Sequence, residues 1–152
     1  MDKNKPKFVH VTYINTTPEK LWAALTTADF TQKYWMGQRI QSDWKAGAPV
    51  KFTKTDGTVK HIGEVLRFEP PKILSYSWSG KGCHSDVATE AASYVTFEIT
   101  PDSGMTKLIV THDGFEPGSK VFGDISGGWP IVLSGLKTFL ETGKPLPFDG
   151  NK

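Results

Sequence analysis

The feature that most constrains this chain lies near its C-terminal end. Residues 127–143 run Gly127-Gly128-Trp129-Pro130-Ile131-Val132-Leu133-Ser134-Gly135-Leu136-Lys137-Thr138-Phe139-Leu140-Glu141-Thr142-Gly143 and read as one long amphipathic helix, placed last after many strand-like segments. A lone helix at the end of a β-rich chain must lay its apolar stripe on a sheet, or that stripe stays wet. The stripe is wide, and its first half is loosened by two glycines and a proline around Trp129. Such a helix is expected to close over a cavity as well as pack a core, which puts small-molecule binding ahead of other functions.

The bulk numbers narrow the alternatives. A chain of 152 residues is read as one domain spanning 1–152, with residues 1–7 as a flexible charged tail. Net charge is +2 with the basic residues dispersed, so no clustered face for nucleic acid is expected. No apolar run approaches the roughly 18 residues of a membrane span, and the charged start lacks the apolar core of a signal peptide. Cys83 is the only cysteine, so no intrachain disulfide forms; a reducing, cytoplasmic compartment is expected. His10, His61, His84 and His112 show no paired ligand spacing, and one cysteine makes no thiolate site; no metal and no cofactor are expected.

The element order follows from periodicity and turn chemistry. Phe8 to Asn15 alternates as a strand, and Thr17-Pro18-Glu19 then opens a helix that buries Leu21, Trp22 and Leu25. A second short helix is expected from Asp29 to Trp35, capped by Thr27 or Asp29, with Phe30, Tyr34 and Trp35 facing in. A weak strand covers Gln38 to Asp43. Asp56-Gly57 joins Pro49–Thr53 to Val59–Phe68 as a hairpin. Lys72–Ser79 is the next strand, and residues 79–92 form the longest irregular stretch. Ser93–Thr100 and Met105–Asp113 flank the turn Pro101-Asp102-Ser103-Gly104. Hairpin after hairpin without crossover helices means an antiparallel sheet of about six or seven strands, hence an α+β fold.

Alternation then selects faces. Val95, Phe97 and Ile99 share one side, as do Leu108, Val110 and His112, and as do Leu74, Tyr76 and Trp78. The strand from Val59 is ambiguous: Ile62, Glu64, Leu66 and Phe68 form one face, Val59, His61, Gly63, Val65 and Arg67 the other, and a bulge near Gly63 would switch phase. If the first set points in, Glu64 lies inside with a perturbed pKa and joins His112 as an acid–base pair; otherwise it is a solvated sheet residue. His112 is either a polar group in a ligand pocket or a half-buried histidine bonded to a loop. Cys83 and His84 are sequence neighbours, an arrangement unsuited to a nucleophile–base pair. The aromatics carry the best remaining signal. Trp35, Trp44, Phe52, Tyr76, Trp78, Phe115 and Trp129 come from many elements and either line an apolar cleft beneath the last helix or simply fill the core.

Several segments, in order, carry a family resemblance: Thr17-Pro18-Glu19-Lys20-Leu21-Trp22, Tyr34-Trp35, Gly63 to Trp78, Thr111-His112-Asp113-Gly114-Phe115, and Gly128-Trp129 to Gly143. Together they resemble the START-like, helix-grip (SRPBCC) superfamily, and within it the family related to the activator of the heat-shock-protein-90 ATPase. The resemblance covers nearly the whole chain. It implies a curved antiparallel sheet gripping the long C-terminal helix, with a cavity between them closed at one side by the two short helices. In the superfamily such cavities hold lipids, sterols, polyketides or other hydrophobic molecules, and some members catalyse cyclisation or dehydration there. Two features depart from the pattern: Pro130, where a fresh start or kink of the helix is expected, and the 79–92 stretch, which would cover the pocket mouth.

Three functional readings follow. The first is binding of a small hydrophobic or aromatic molecule by Trp35, Trp44, Phe52, Tyr76, Trp78, Phe115 and Trp129, with Val132, Leu133 and Leu136 from the helix and polarity from His112 and Glu64. The second is a cyclase- or dehydratase-like enzyme in which His112 or Glu64 moves a proton. The third is a stimulator of a chaperone ATPase, suggested by the family but set behind the others because the chain reads as one domain without a docking extension. Nothing in the sequence sets the oligomeric state.

Overall fold

The computed structural model describes residues 5–79 and 91–147. The elements run β1 (Phe8–Ile14), α1 (Pro18–Thr26), α2 (Ala28–Tyr34), β2 (Arg39–Ser42), β3 (Pro49–Thr53), β4 (Val59–Glu69), β5 (Ile73–Trp78), β6 (Ser93–Asp102), β7 (Met105–Asp113) and α3 (Lys120–Thr142). The strands form one seven-stranded antiparallel sheet in the order β1-β7-β6-β5-β4-β3-β2. The chain enters at one edge, crosses to the other through α1 and α2, and returns hairpin by hairpin to pair β7 with β1. One face of the sheet is covered by the helices, and the core lies between them: Val50, Phe52, Leu74, Tyr76, Val95, Phe97, Leu108 and Val110 from the strands are buried against Trp129, Val132, Leu133 and Leu136 of α3.

Local chemistry accounts for the helix ends. The Thr17 hydroxyl accepts from the Lys20 backbone N–H at 3.2 Å, and Pro18 occupies the first turn, where its missing N–H costs nothing. In α2, Thr27 stands at the cap without a side-chain bond, and the buried polar residue is Thr31. Its hydroxyl lies 3.1 Å from the carbonyls of Ala28 and Gln38 and accepts from the Ile40 N–H at 3.0 Å, stitching α2 to β2. Tyr34 and Trp35 turn inward as expected, but Phe30 is 37% exposed and meets Phe139 at the surface. The residues of α2 that face the core fall one turn apart at Thr31 and Tyr34, leaving Phe30 to the side.

The last helix is longer than the apolar stripe suggests. It starts at Lys120, capped by the Ser119 hydroxyl on the Phe122 N–H at 3.0 Å, and runs without a break through Pro130 to the left-handed Gly143. Pro130 is exposed, so the carbonyl that loses its partner there need not be desolvated in the core. The preceding turns, with Val121 and Ile125 buried, extend the inward stripe toward the start of the helix.

Strand β4 settles the ambiguity of its two faces. Val65 is buried, His61 and Gly63 are half-buried, and Lys60, Ile62, Glu64 and Leu66 are exposed. The phase switch comes between Val65 and Arg67, not at Gly63, and it turns Phe68 inward against Trp22 of α1. Gly63 serves a different need: a Cβ there would lie 1.9 Å from the Ser77 carbonyl oxygen, so only glycine lets β4 approach β5 this closely. The β6–β7 turn is tighter than expected, because β6 continues through Asp102 and only Ser103 and Gly104, both at positive φ, make the turn. Residues 1–4 of the expected tail, and Cys83 and His84 with most of the 79–92 stretch, lie outside the described residues.

Candidate functional site

The site is assembled from rings contributed by six elements and their connections. Strand alternation places Phe52 on β3, Tyr76 and Trp78 on β5 and His112 on β7 toward the helices. Trp35 follows α2, Phe115 precedes α3, and Trp129 descends from the middle of α3. Trp129 lies 5.3 Å from Trp35, 5.7 Å from Trp78 and 5.9 Å from Phe97, centroid to centroid. Phe52 closes the group at 4.7 Å from Trp78 and 5.6 Å from Trp35. Aromatic pairs at these spacings add about 0.5–1.5 kcal/mol each beyond the area they bury. Phe115 stacks obliquely on His112 at 4.8 Å, and Trp44 reaches Tyr76 at 6.2 Å. Trp44 does so from a left-handed backbone, φ 52°, rare for a bulky residue.

The structure therefore brings together eleven of the twelve residues expected from sequence: Trp35, Trp44, Phe52, Tyr76, Trp78, His112, Phe115, Trp129, Val132, Leu133 and Leu136 all join one contiguous core. Glu64 does not. It sits on the solvent side of β4, because the inward residues of that stretch are His61, Gly63 and Val65, and so it forms no pair with His112. Three residues of this cluster were not among the sequence candidates. Ser93 and Phe97 lie on the inward alternation of Val95's strand, and His61 lies two residues before Gly63 on the face that turned out to be internal.

The histidines define the electrostatics. The Trp129 indole N–H donates to His112 Nδ1 at 3.0 Å. An indole nitrogen only donates, so Nδ1 must carry the lone pair and Nε2 the proton. The Nε2–H then donates to Ser93 Oγ at 2.8 Å, and that hydroxyl is aligned to donate onward to the Trp78 carbonyl at 3.4 Å. Burial pushes His112 down to about 3, helped by the neighbouring His61. His61 is pushed down to about 4, first by burial and then by Lys60, against a hydrogen bond with the Ser79 backbone that favours its proton. Both rings are neutral at pH 7. Both nitrogens of His112 are engaged, so the ring ties Trp129 of α3 to Ser93 of β6. Tyr34 and Tyr76, buried in the same core, are held above the usual phenol range by desolvation.

Two nitrogens of the cluster behave differently. Trp78 Nε1 and His61 Nδ1 are enclosed and find no hydrogen-bond partner among the described residues, although their rings lie only 4.8 Å apart. Gln38 Oε1 is the third such atom. Among the described residues no group of His, Cys, Asp or Glu is arranged to hold a metal ion, and no helix is long and apolar enough to cross a membrane.

A seven-stranded antiparallel sheet wrapped on a long C-terminal helix, with two short helices closing one side, defines a helix-grip protein of the START-like class. Within that class, residues 15–141 match the model of the family described as activator of Hsp90 ATPase homolog 1-like protein, and the chain belongs to that family. Solved structures agree. The chain is 32% identical to protein MLL2253 from Mesorhizobium loti, with a TM-score of 0.75 over 89% of this chain and 96% of that one. It is 23% identical to the protein in the solution structure of the Aha1 dimer from Colwellia psychrerythraea, TM-score 0.72, covering 91% and 98%. It is 22% identical to PFC0360w, an HSP90 activator from Plasmodium falciparum, TM-score 0.72, covering 88% and 95%. No match was found among curated proteins.

Proposed function

We propose that this protein binds a small hydrophobic or aromatic molecule between the sheet and α3. The observation that carries this reading is where the aromatic cluster lies. Trp35, Trp78 and Trp129 meet at the part of α3 least able to hold a helix, which contains Gly123, Gly127, Gly128 and Pro130. Each glycine weakens a helix by about 1 kcal/mol relative to alanine and a proline by about 3. A segment so composed is the weakest part of the helix, and it stands over a wall of rings. A mostly apolar wall with a few buried polar atoms is the usual make-up of a small-ligand site. The single cysteine fits a reducing cytoplasm as the compartment of this activity.

The test is a thermal-shift screen of the purified protein against fatty acids, sterols, flavonoids and aromatic polyketides. A molecule that binds only the folded state at a hundredfold excess over Kd stabilises by about 2.7 kcal/mol. A dose-dependent rise with one class, lost in Trp129→Ala beyond what that variant's own lower stability explains, supports the reading. A Trp129→Ala variant that binds unchanged per folded molecule removes Trp129 from the site.

A second reading, stimulation of an Hsp90-type ATPase, is favoured by the family description and by the Plasmodium falciparum neighbour. Co-purification and ATPase assays with the host's own Hsp90 decide it; absence of both complex and stimulation removes it.

A further inference from the structure

Several polar atoms of the ring cluster are paired. Trp129 Nε1 and both nitrogens of His112 are hydrogen-bonded, and the Tyr34 hydroxyl donates to the Ala24 carbonyl at 2.7 Å. Two enclosed atoms without a partner among the described residues, Trp78 Nε1 and His61 Nδ1, belong to neighbouring rings with centroids 4.8 Å apart. A buried donor or acceptor left without a partner is costly, so such atoms in a native core call for an explanation. Here the two are of opposite kind. The indole nitrogen of Trp78 only donates. A neutral imidazole carries one N–H and one lone pair, and with the proton on Nε2 the enclosed Nδ1 of His61 is an acceptor. Trp78 itself is 6% exposed and is hemmed by Phe52, His61, His112 and Trp129, with no charged side chain among those rings.

We infer that Trp78 Nε1 and His61 Nδ1 are the polar contact for a neutral hydroxyl on an aromatic ligand, the indole N–H donating to the hydroxyl oxygen and Nδ1 accepting its proton. The inference rests on the small-molecule reading above and narrows it. A hydroxyl supplies one acceptor and one donor, the complement of this pair. A carboxylate supplies acceptors alone, so it meets the Nδ1 lone pair with like polarity while losing its hydration. A hydrocarbon supplies neither. The neutral state of His61 at pH 7, set by its burial and by Lys60, leaves the ring one lone pair, which in the Nε2–H tautomer lies on Nδ1. The site therefore selects phenols and alcohols over fatty acids of the same bulk.

Three probes with one skeleton test this: 2-naphthol, naphthalene and 2-naphthoate, titrated into the whole protein and followed by calorimetry and by the indole and imidazole ¹⁵N signals. Trp78→Phe assigns the indole signal, and His61→Phe serves as a second variant should the first fail to fold. The expected result is a Kd for naphthol about tenfold or more below that of naphthalene and naphthoate, with the Trp78 indole proton moving downfield only with naphthol. His61→Phe is expected to erase naphthol's advantage over naphthalene. Equal affinity of naphthol and naphthalene, or naphthol binding that leaves the Trp78 signal in place, overturns the hydroxyl contact while leaving the small-molecule reading standing. Preferred binding of naphthoate also overturns it. No binding of any probe overturns both.

Discussion

His112 shows how one side chain can be chemically suggestive and structurally committed at once. It is fully enclosed and joins the last helix, through Trp129, to two strands, through its own position on β7 and Ser93 on β6. Removing it leaves the Trp129 N–H and the Ser93 hydroxyl buried without their partner, so His112→Ala is expected to cost about 2–4 kcal/mol by urea denaturation. Its titration adds a pH signature. The folded pKa of about 3 lies below the ordinary 6.5, so the unfolded chain binds more protons in that window. The stability it contributes is present above about pH 6.5 and is lost as pH falls toward 3. His61, with a folded value of about 4, acts in the same direction. Wild-type stability is expected to fall by about 1–2 kcal/mol per histidine between pH 7 and pH 5, and His112→Gln to flatten that slope by about half. An unchanged slope in His112→Gln shows that His112 titrates normally in the fold. Neither histidine's environment was legible from its neighbours in sequence. His112 shared an apolar face, but its two partners stand 19 residues before and 17 residues after it.

Among the elements, α3 gives the sharpest prediction. Pro130 sits in its interior, removes one backbone hydrogen bond and points to solvent. Pro130→Ala restores that bond without touching the core, so it is expected to stabilise by about 1–2 kcal/mol, the helix gain of about 3 being partly offset by a more flexible unfolded chain. Thermal unfolding checks it; a loss of stability shows that the proline's geometry is needed where it stands. The elements themselves were largely readable. Turn signals at Asp56-Gly57 and Pro101-Asp102-Ser103-Gly104 placed both hairpins, and Thr17-Pro18 placed the start of α1. The end of the Gly114–Gly118 loop marked the start of α3, where Ser119 caps it; what periodicity left open was the facing of β4. In β4 both alternations are half apolar, so neither face stands out; the choice falls to Gly63, whose missing side chain admits the Ser77 carbonyl.

For the whole molecule, the decisive contact is between the helical layer and itself. Gly135 of α3 lies under α2, where a Cβ would come within 3.0 Å of the Tyr34 carbonyl oxygen. Gly135→Val is expected to push the two helices apart and cost about 1–3 kcal/mol, seen as a lower Tm. An unchanged Tm shows that α2 yields freely. Because α2 also carries Trp35 to the ring cluster at its C-terminal end, the same variant is expected to weaken any ligand that stabilises the wild type. The element order, the antiparallel hairpins, the final helix and the aromatic supply are legible in the chain alone, because these depend on local turn chemistry and on periods of two and 3.6. Folding was needed to turn Glu64 to water, to lock His112 between Trp129 and Ser93, and to leave Trp78 Nε1 and His61 Nδ1 without partners among the described residues on neighbouring rings. Those outcomes depend on which distant residues meet across the sheet and the helix, and no local pattern in the chain encodes that meeting.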